Sequence, residues 1–192
     1  MTLLKSPFLA AALFAAALAL PARAQDAMKK DAAVKPADSP SKVVLDSWNE
    51  VGRKLVAMAE DFPEDKFDFK PTPAQRSFRE QLLHAAGANY YFTNPTMGKK
   101  DPVDENPKAD LYKTRAQLVA FVKKSFADGA AAIQAKGDKG MNALLVDPFS
   151  HQQVRVYDFA YGFIEHCGEH YGQLVVYYRL AGLVPPESRP KK

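Results

Sequence analysis

Apolar residues along this chain recur at steps of three and four, not two. Trp48, Val51, Leu55, Met58 and Phe62 share one face of a helix that begins near Val44 and is stopped by Pro63. Pro63, Pro71 and Pro73 make the stretch to Gln75 a loop, after which Ser77 and Glu80 supply a capping box for a second helix. That helix runs to about Asn94 and carries Phe78, Leu82, Leu83, Ala85, Ala86, Ala88, Tyr90, Tyr91 and Phe92, apolar nearly all round, so it is expected to be the most buried. Residues 94–110 are rich in Pro, Lys, Asp and Asn and show no periodicity. At ~3.3 Å per residue they can reach from one end of a bundle to the other. Thr114 and Gln117 cap a third helix, with Leu118, Phe121, Val122, Phe126 and Ile133 on its inner side and an end near Gly137. A loop follows to about His151, and the fourth helix spans roughly 153–181, with Gly182, Pro185 and Pro186 blocking its continuation. No segment alternates with period two for long enough to argue a sheet. The pattern predicts an all-α fold over residues 42–187, a four-helix bundle with a long crossover between helices two and three, and then a short basic tail, 188–192.

The first residues bear on compartment. Lys5, an apolar run over residues 8–20 and the small-x-small ending Ala22-Arg23-Ala24 read as a secretory signal peptide cut after Ala24. The run is shorter than the ~20 residues that cross a bilayer, so no stable membrane insertion is expected after cleavage. Residues 25–41 mix Lys, Asp, Ala, Pro and Ser without periodic apolar positions and are expected to be a disordered tether. The mature protein is expected in the periplasm or secreted.

With 47% hydrophobic and 25% charged residues the chain excludes collagen-like and wholly disordered classes. Removing Lys5 and Arg23 from the 26 basic residues leaves 24 against 22 acidic, so the mature chain is near neutral, and no nucleic-acid partner is expected. The expected partner is a small-molecule substrate or ligand, with a homodimer left open. The single cysteine, Cys167, excludes an intrachain disulfide.

The chemistry interrupts the apolar stripes. On the last helix the inner face reads Phe159, Phe163, His166, His170, Leu174 and Tyr177. Two histidines four apart project from one face, one turn above the other, in a geometry that can grip one metal ion with two nitrogens. The second helix contributes His84, followed one turn later by Gly87 and Ala88, whose small side chains leave space beside the ring. Three histidines from facing helices would make an open site with one position for water or substrate. A lone buried histidine is otherwise a neutral core residue with hydrogen-bonded nitrogens, and His151, at a loop and helix junction, keeps that reading. Cys167 lies about a hundred degrees round the helix from His166 and reads as a small packed hydrophobe. Glu165 and Glu169 flank the histidines; Glu169 is the nearest candidate for proton transfer, although glutamates off the inner face are ordinarily solvated. Tyr171, Tyr177 and Tyr178 read as core and pocket wall.

Several segments together resemble the DinB/YfiT-like metal-binding four-helix bundles. They are the opening helix with Trp48, Phe69-Lys70-Pro71 followed by Arg76-Ser77, Glu80-Gln81-Leu82-Leu83-His84, then His166-Cys167-Gly168-Glu169-His170-Tyr171-Gly172-Gln173, and Arg179-Leu180-Ala181-Gly182-Leu183-Val184-Pro185-Pro186. The resemblance covers most of the mature chain. It implies a divalent ion, zinc or nickel, bound by His84, His166 and His170, and a crossover from helix two to helix three that suits residues 94–110. Relatives include thiol transferases, thiol-dependent isomerases and hydrolases. The reduced thiol pools that the transferases use are chiefly cytoplasmic, which sets an exported chain apart from them. Two functions follow as expectations: a metal-dependent hydrolase or transferase in which the ion acts as Lewis acid on a bound water or thiol, or a non-catalytic metal or small-ligand binding protein of the cell envelope.

Overall fold

The computed structural model describes residues 38–190. The expected signal peptide, residues 25–37 of the expected tether and the last two lysines lie outside the described residues. Four helices form the fold: α1 (Pro40–Asp61), α2 (Phe78–Thr96), α3 (Arg115–Met141) and α4 (Val156–Leu180). No helix among the described residues is long and apolar enough to cross a membrane.

The helix starts follow from capping chemistry. Ser77 and Thr114 each accept from the backbone N–H three residues on, and Glu80 and Gln117 reach back to the cap N–H, so both expected capping boxes form. At α1 the cap is Ser39, with Pro40 in the first helical position, where a missing N–H costs nothing. The helix therefore begins before Val44 and takes in Pro40 and Ser41, which the composition had placed in the tether.

Directions follow from the cross-links. Along α1 and α3, Ser41 N donates to Asp138, Trp48 Nε1 donates 2.9 Å to Phe126 O and Arg115 donates to Phe62 O, an antiparallel pair. Between α2 and α3, Arg79 reaches Tyr112 O, Ser125 Oγ donates to Ala86 O and Tyr90 donates to Asp128, a parallel pair. Tyr177 donates to Arg76 O and Phe92 packs on Phe159, making α2 and α4 antiparallel. Tyr178 donates to Met58 O while Lys54 lies over the Tyr171 ring, making α1 and α4 parallel. The bundle runs up, down, down, up. Parallel neighbours in sequence require the chain to return along the whole bundle, and residues 97–114, with one short 3-10 turn at Ala109–Leu111, make that crossover.

The core contains Trp48, Leu55, Met58, Phe62, Phe78, Leu82, Phe92, Leu118, Ile133, Leu174 and Tyr178, all at most 1% exposed. Trp48 occupies the space a side chain at 129 would need: a Cβ on Gly129 would lie 2.0 Å from the indole. Burying rings of this size supplies much of the stabilisation, at roughly 25 cal/mol per Å² of apolar surface.

Two local features depart from the expectation. Regular geometry in α3 breaks at Gly137, whose positive φ of 55° only glycine adopts cheaply, although helical turns resume to Met141. The expected loop before α4 contains a two-stranded antiparallel ribbon, β1 (Leu144–Val146) paired with β2 (Gln153–Arg155), and α4 starts after it at Val156. Strands of three residues are too short to show a period-two pattern. At the end of the described chain a contact holds the basic segment against the bundle. Arg189 binds the Asp61 carboxylate at 2.8 and 2.6 Å and also donates to Val184 O, tying the C-terminal segment to α1.

Candidate functional site

Once Ser77 sets where α2 begins, Gln81, His84, Ala88 and Tyr91 fall on one stripe by helical periodicity, and that stripe faces α4. On α4 the facing stripe is Phe159, Phe163, His166, His170 and Gln173. Antiparallel packing brings the two sets of histidines level. Ring centroids lie 5.3 Å apart for His84 and His166, 4.9 Å for His84 and His170, and 4.4 Å for His166 and His170. One ligating nitrogen from each falls within 4.8 Å of the others.

Two of the three rings are held on their outer side. Nδ1 of His84 lies 3.1 Å from both Glu105 O and Asn106 Oδ1. Both partners are acceptors, so Nδ1 carries the proton and Nε2 presents a bare lone pair to the other rings. Nδ1 of His170 lies 2.7 Å from Gln81 Nε2, whose NH2 also donates to the Gln173 side-chain oxygen. His166 Nδ1 is buried without a partner. Nε2 of His166 and of His170 approach to 3.0 Å. Nitrogens sharing one tetrahedral zinc at 2.0–2.1 Å would stand about 3.3 Å apart, so the spacing suits two ligands of one ion.

Burial lowers the basicity of all three imidazoles. For His170 it is the largest cause, followed by His166, His84 and Arg76, and the pKa falls from 6.5 to about 3. His84 is lowered by burial and then by Arg76, and His166 by burial and then by His84. The rings are therefore neutral at pH 7, the form that offers a lone pair to a metal. Because folding depresses the pKa, the unfolded chain binds more protons at acid pH. The His170 contribution to stability is thus complete above pH 6.5 and is lost as pH falls toward about 3. Denaturant titrations of metal-free protein are expected to show this decline, and His170→Gln is expected to flatten it.

The crossover closes the site. Its backbone passes so near α2 that a Cβ on Gly87 would lie 2.6 Å from Asp104 O and 3.2 Å from Glu105 Cα. The space expected beside Gly87 is therefore filled by the crossover, whereas Ala88 does face a cavity. Gly87→Ala is expected to lower stability by about 1–3 kcal/mol through overpacking, read as a drop in melting temperature.

The same passage places Glu105 against the histidines. With His84, Ala88, Tyr91, Phe149, Phe159, Gly162, Phe163 and His166 it lines a cavity of about 390 Å³; its charge raises the basicity of His84, and at His166 the charge of Glu169 and then that of Glu105 do so, against the burial effect. Sequence reasoning missed Glu105 because an aperiodic connection gives no register that ties it to a helix face. Glu169 points to solvent, as does Glu165, and among the described residues neither carboxylate bonds to a histidine. His151 sits exposed in the β1–β2 loop at φ 57°, away from the cluster. Cys167 is fully buried, donates to Asn89 Oδ1 at 3.3 Å and has its thiol pKa pushed up to about 12 by burial, which makes it inert packing.

Comparison with known proteins places this geometry. No curated protein matches the chain. Among solved structures the fold is similar to a DinB-like protein from Bacillus cereus ATCC 10987, with 19% identity and a TM-score of 0.64 over 76% of this chain and 95% of that one. It is also similar to YfiT from Bacillus subtilis, with 17% identity and a TM-score of 0.59 over 78% and 94% of the two chains; that protein is described as a probable metal-dependent hydrolase with an unusual four-helix bundle topology. These likenesses establish the fold, a four-helix bundle. The family model of the DinB superfamily matches residues 47–174, a span that starts at the buried Trp48 stripe and closes just after the second histidine of α4. On that match, together with the bundle it describes, the chain belongs to the DinB superfamily.

Proposed function

We propose that His84, His166 and His170 bind one divalent ion, zinc or nickel, and that the protein is a metal-dependent hydrolase or transferase acting on a small molecule. The observation that carries this reading is the convergence of three neutral imidazoles, each supplying a nitrogen within 4.8 Å of the others, beside an open cavity. The donor set suits such an ion: three nitrogens leave a fourth position for substrate. When bound, the ion supplies Lewis acidity toward a carbonyl or a water.

The chain's own residues divide the remaining work. Glu105 O and Asn106 hold the His84 ring with its Nε2 bare, and Gln81, braced by Gln173, holds His170. An amide can turn either its oxygen or its NH2 to a neighbour. The structure turns the NH2 to His170 Nδ1; metal binding through Nε2 calls for the reverse orientation, with the Gln81 oxygen toward Nδ1, so that His170 keeps its proton there and frees Nε2. Glu105 shares the cavity with His84 and His166 and is the carboxylate placed to take a proton from a nucleophile lying between them. Phe159, Phe163 and Ala88 exclude water from the inner wall.

The export reading belongs to this proposal: a signal peptide cut after Ala24 would put the site in the periplasm or outside the cell. A screen of simple ester, amide and thiol-addition substrates is expected to show turnover that a chelator removes and zinc or nickel restores. Metal-loaded protein with no turnover anywhere in the screen would instead support a non-catalytic binding protein.

A further inference from the structure

The cavity has a polar end and an apolar end. Because α2 and α4 are antiparallel, its walls fall in ranks, with His84 across from His166 at one end and Tyr91 near Phe159 at the other. Between them lie only Ala88, Gly162 and Phe163. Seven residues of helix separate His84 from Tyr91, which at 1.5 Å per residue makes the slot ~10 Å long. The far end is closed by Phe149 from the β1–β2 loop, whose ring meets Tyr91 at 4.7 Å and 61° yet is 59% exposed. On the other wall Phe159 and Phe163 stand edge to face at 5.2 Å.

Gly162 keeps the middle of this slot open. In a helix interior glycine costs about 1 kcal/mol relative to alanine. At Gly87 and Gly129 packing accounts for it, whereas a Cβ on Gly162 would meet nothing within 4 Å, as at Gly168 and Gly172 of the same helix, but of these three only Gly162 lines the cavity. The missing side chain serves the cavity. Glu105 is the only charged side chain of the lining, and the aromatic end offers no cation, so charge on the ring portion of a ligand finds no partner there.

We propose that this slot takes a ligand about one aromatic ring in size, uncharged or weakly acidic, with an oxygen or sulfur donor directed to the histidines and the ring seated among Tyr91, Phe149, Phe159 and Phe163. The donor half of this assignment rests on the metal reading above; the ring half rests on the cavity. A ring fits between edge-to-face aromatic pairs because its own edge and face find complementary partners there. Seating it also covers the exposed face of Phe149.

Calorimetry on zinc-loaded protein with benzohydroxamate and acetohydroxamate, which share a donor and differ in the ring, tests it. Benzohydroxamate is expected to bind at least about tenfold tighter, a difference of ~1.4 kcal/mol. Gly162→Leu, which fills the slot from a position with no packing role, is expected to erase that difference while leaving zinc affinity and acetohydroxamate affinity unchanged. Equal affinities in the parent, or a difference that survives in Gly162→Leu, would overturn the proposal. Metal-free protein separates the two readings. Fluorine NMR of 4-fluorobenzyl alcohol is expected to broaden with the parent and not with Gly162→Leu, even if zinc proves not to bind. No broadening with the parent would refute the ring site and leave the metal site standing.

Discussion

Alanine at His84, His166 or His170 is expected to abolish the rise in melting temperature that zinc or nickel gives the parent protein. An ion that binds only the folded chain stabilises it by about 2.7 kcal/mol at a hundred times its dissociation constant. For a domain of this size that corresponds to roughly 5–11 °C. Each imidazole supplies one of three protein donors, and two nitrogens alone hold an ion loosely, so any single loss should remove most of the shift. The readout is the difference between metal-loaded and metal-free melting of the same variant. It therefore cancels the packing lost with His170, which is 6% exposed. His151→Ala is expected to leave the shift intact, because that ring stands outside the cluster. Alanine variants that still gain stability from metal would return the three histidines to an ordinary buried polar cluster.

Glu105→Gln is expected to lower kcat by about a hundredfold or more, the usual scale for losing a positioned proton carrier, with metal affinity almost unchanged. The substitution keeps size and hydrogen bonding and removes only the basic site. The main-chain carbonyl that holds His84 stays in place, so the ring should remain oriented. Glu169→Gln is expected to cost far less, since that side chain faces solvent and touches the site only through its charge on His166. A large loss at Glu169 with none at Glu105 would move the proton path to the outer face of α4.

Much of the fold was legible because helices advertise themselves locally. A stripe at three and four residues, a Ser-x-x-Glu cap or a proline stop is written within a few neighbours, and Trp48, Phe62, Ser77, Thr114 and Gly182 marked the elements within a few residues. The spacing of His166 and His170 was legible for the same reason: four residues on a helix is a fixed geometry. Even the crossover showed as a length, although not as a path.

The tertiary structure alone decided what stands across from what. Whether His84 meets the α4 pair depends on the antiparallel level of two helices far apart in sequence. That level is set by contacts such as Tyr177 with Arg76 O and Cys167 with Asn89. The start of α1 at Pro40 turned on the Ser39 cap, which composition had hidden inside an apparent tether. The three-residue strands that carry Phe149 to the cavity were too short to leave a period. Glu105 shows the limit most clearly. Nothing in an aperiodic loop fixes where its side chains point, and this one reaches the histidines only because Gly87 lets the crossover backbone lie against α2. Local periodicity is encoded by neighbours in sequence, whereas a site assembled from two helices and a loop is encoded by the packing that brings them together.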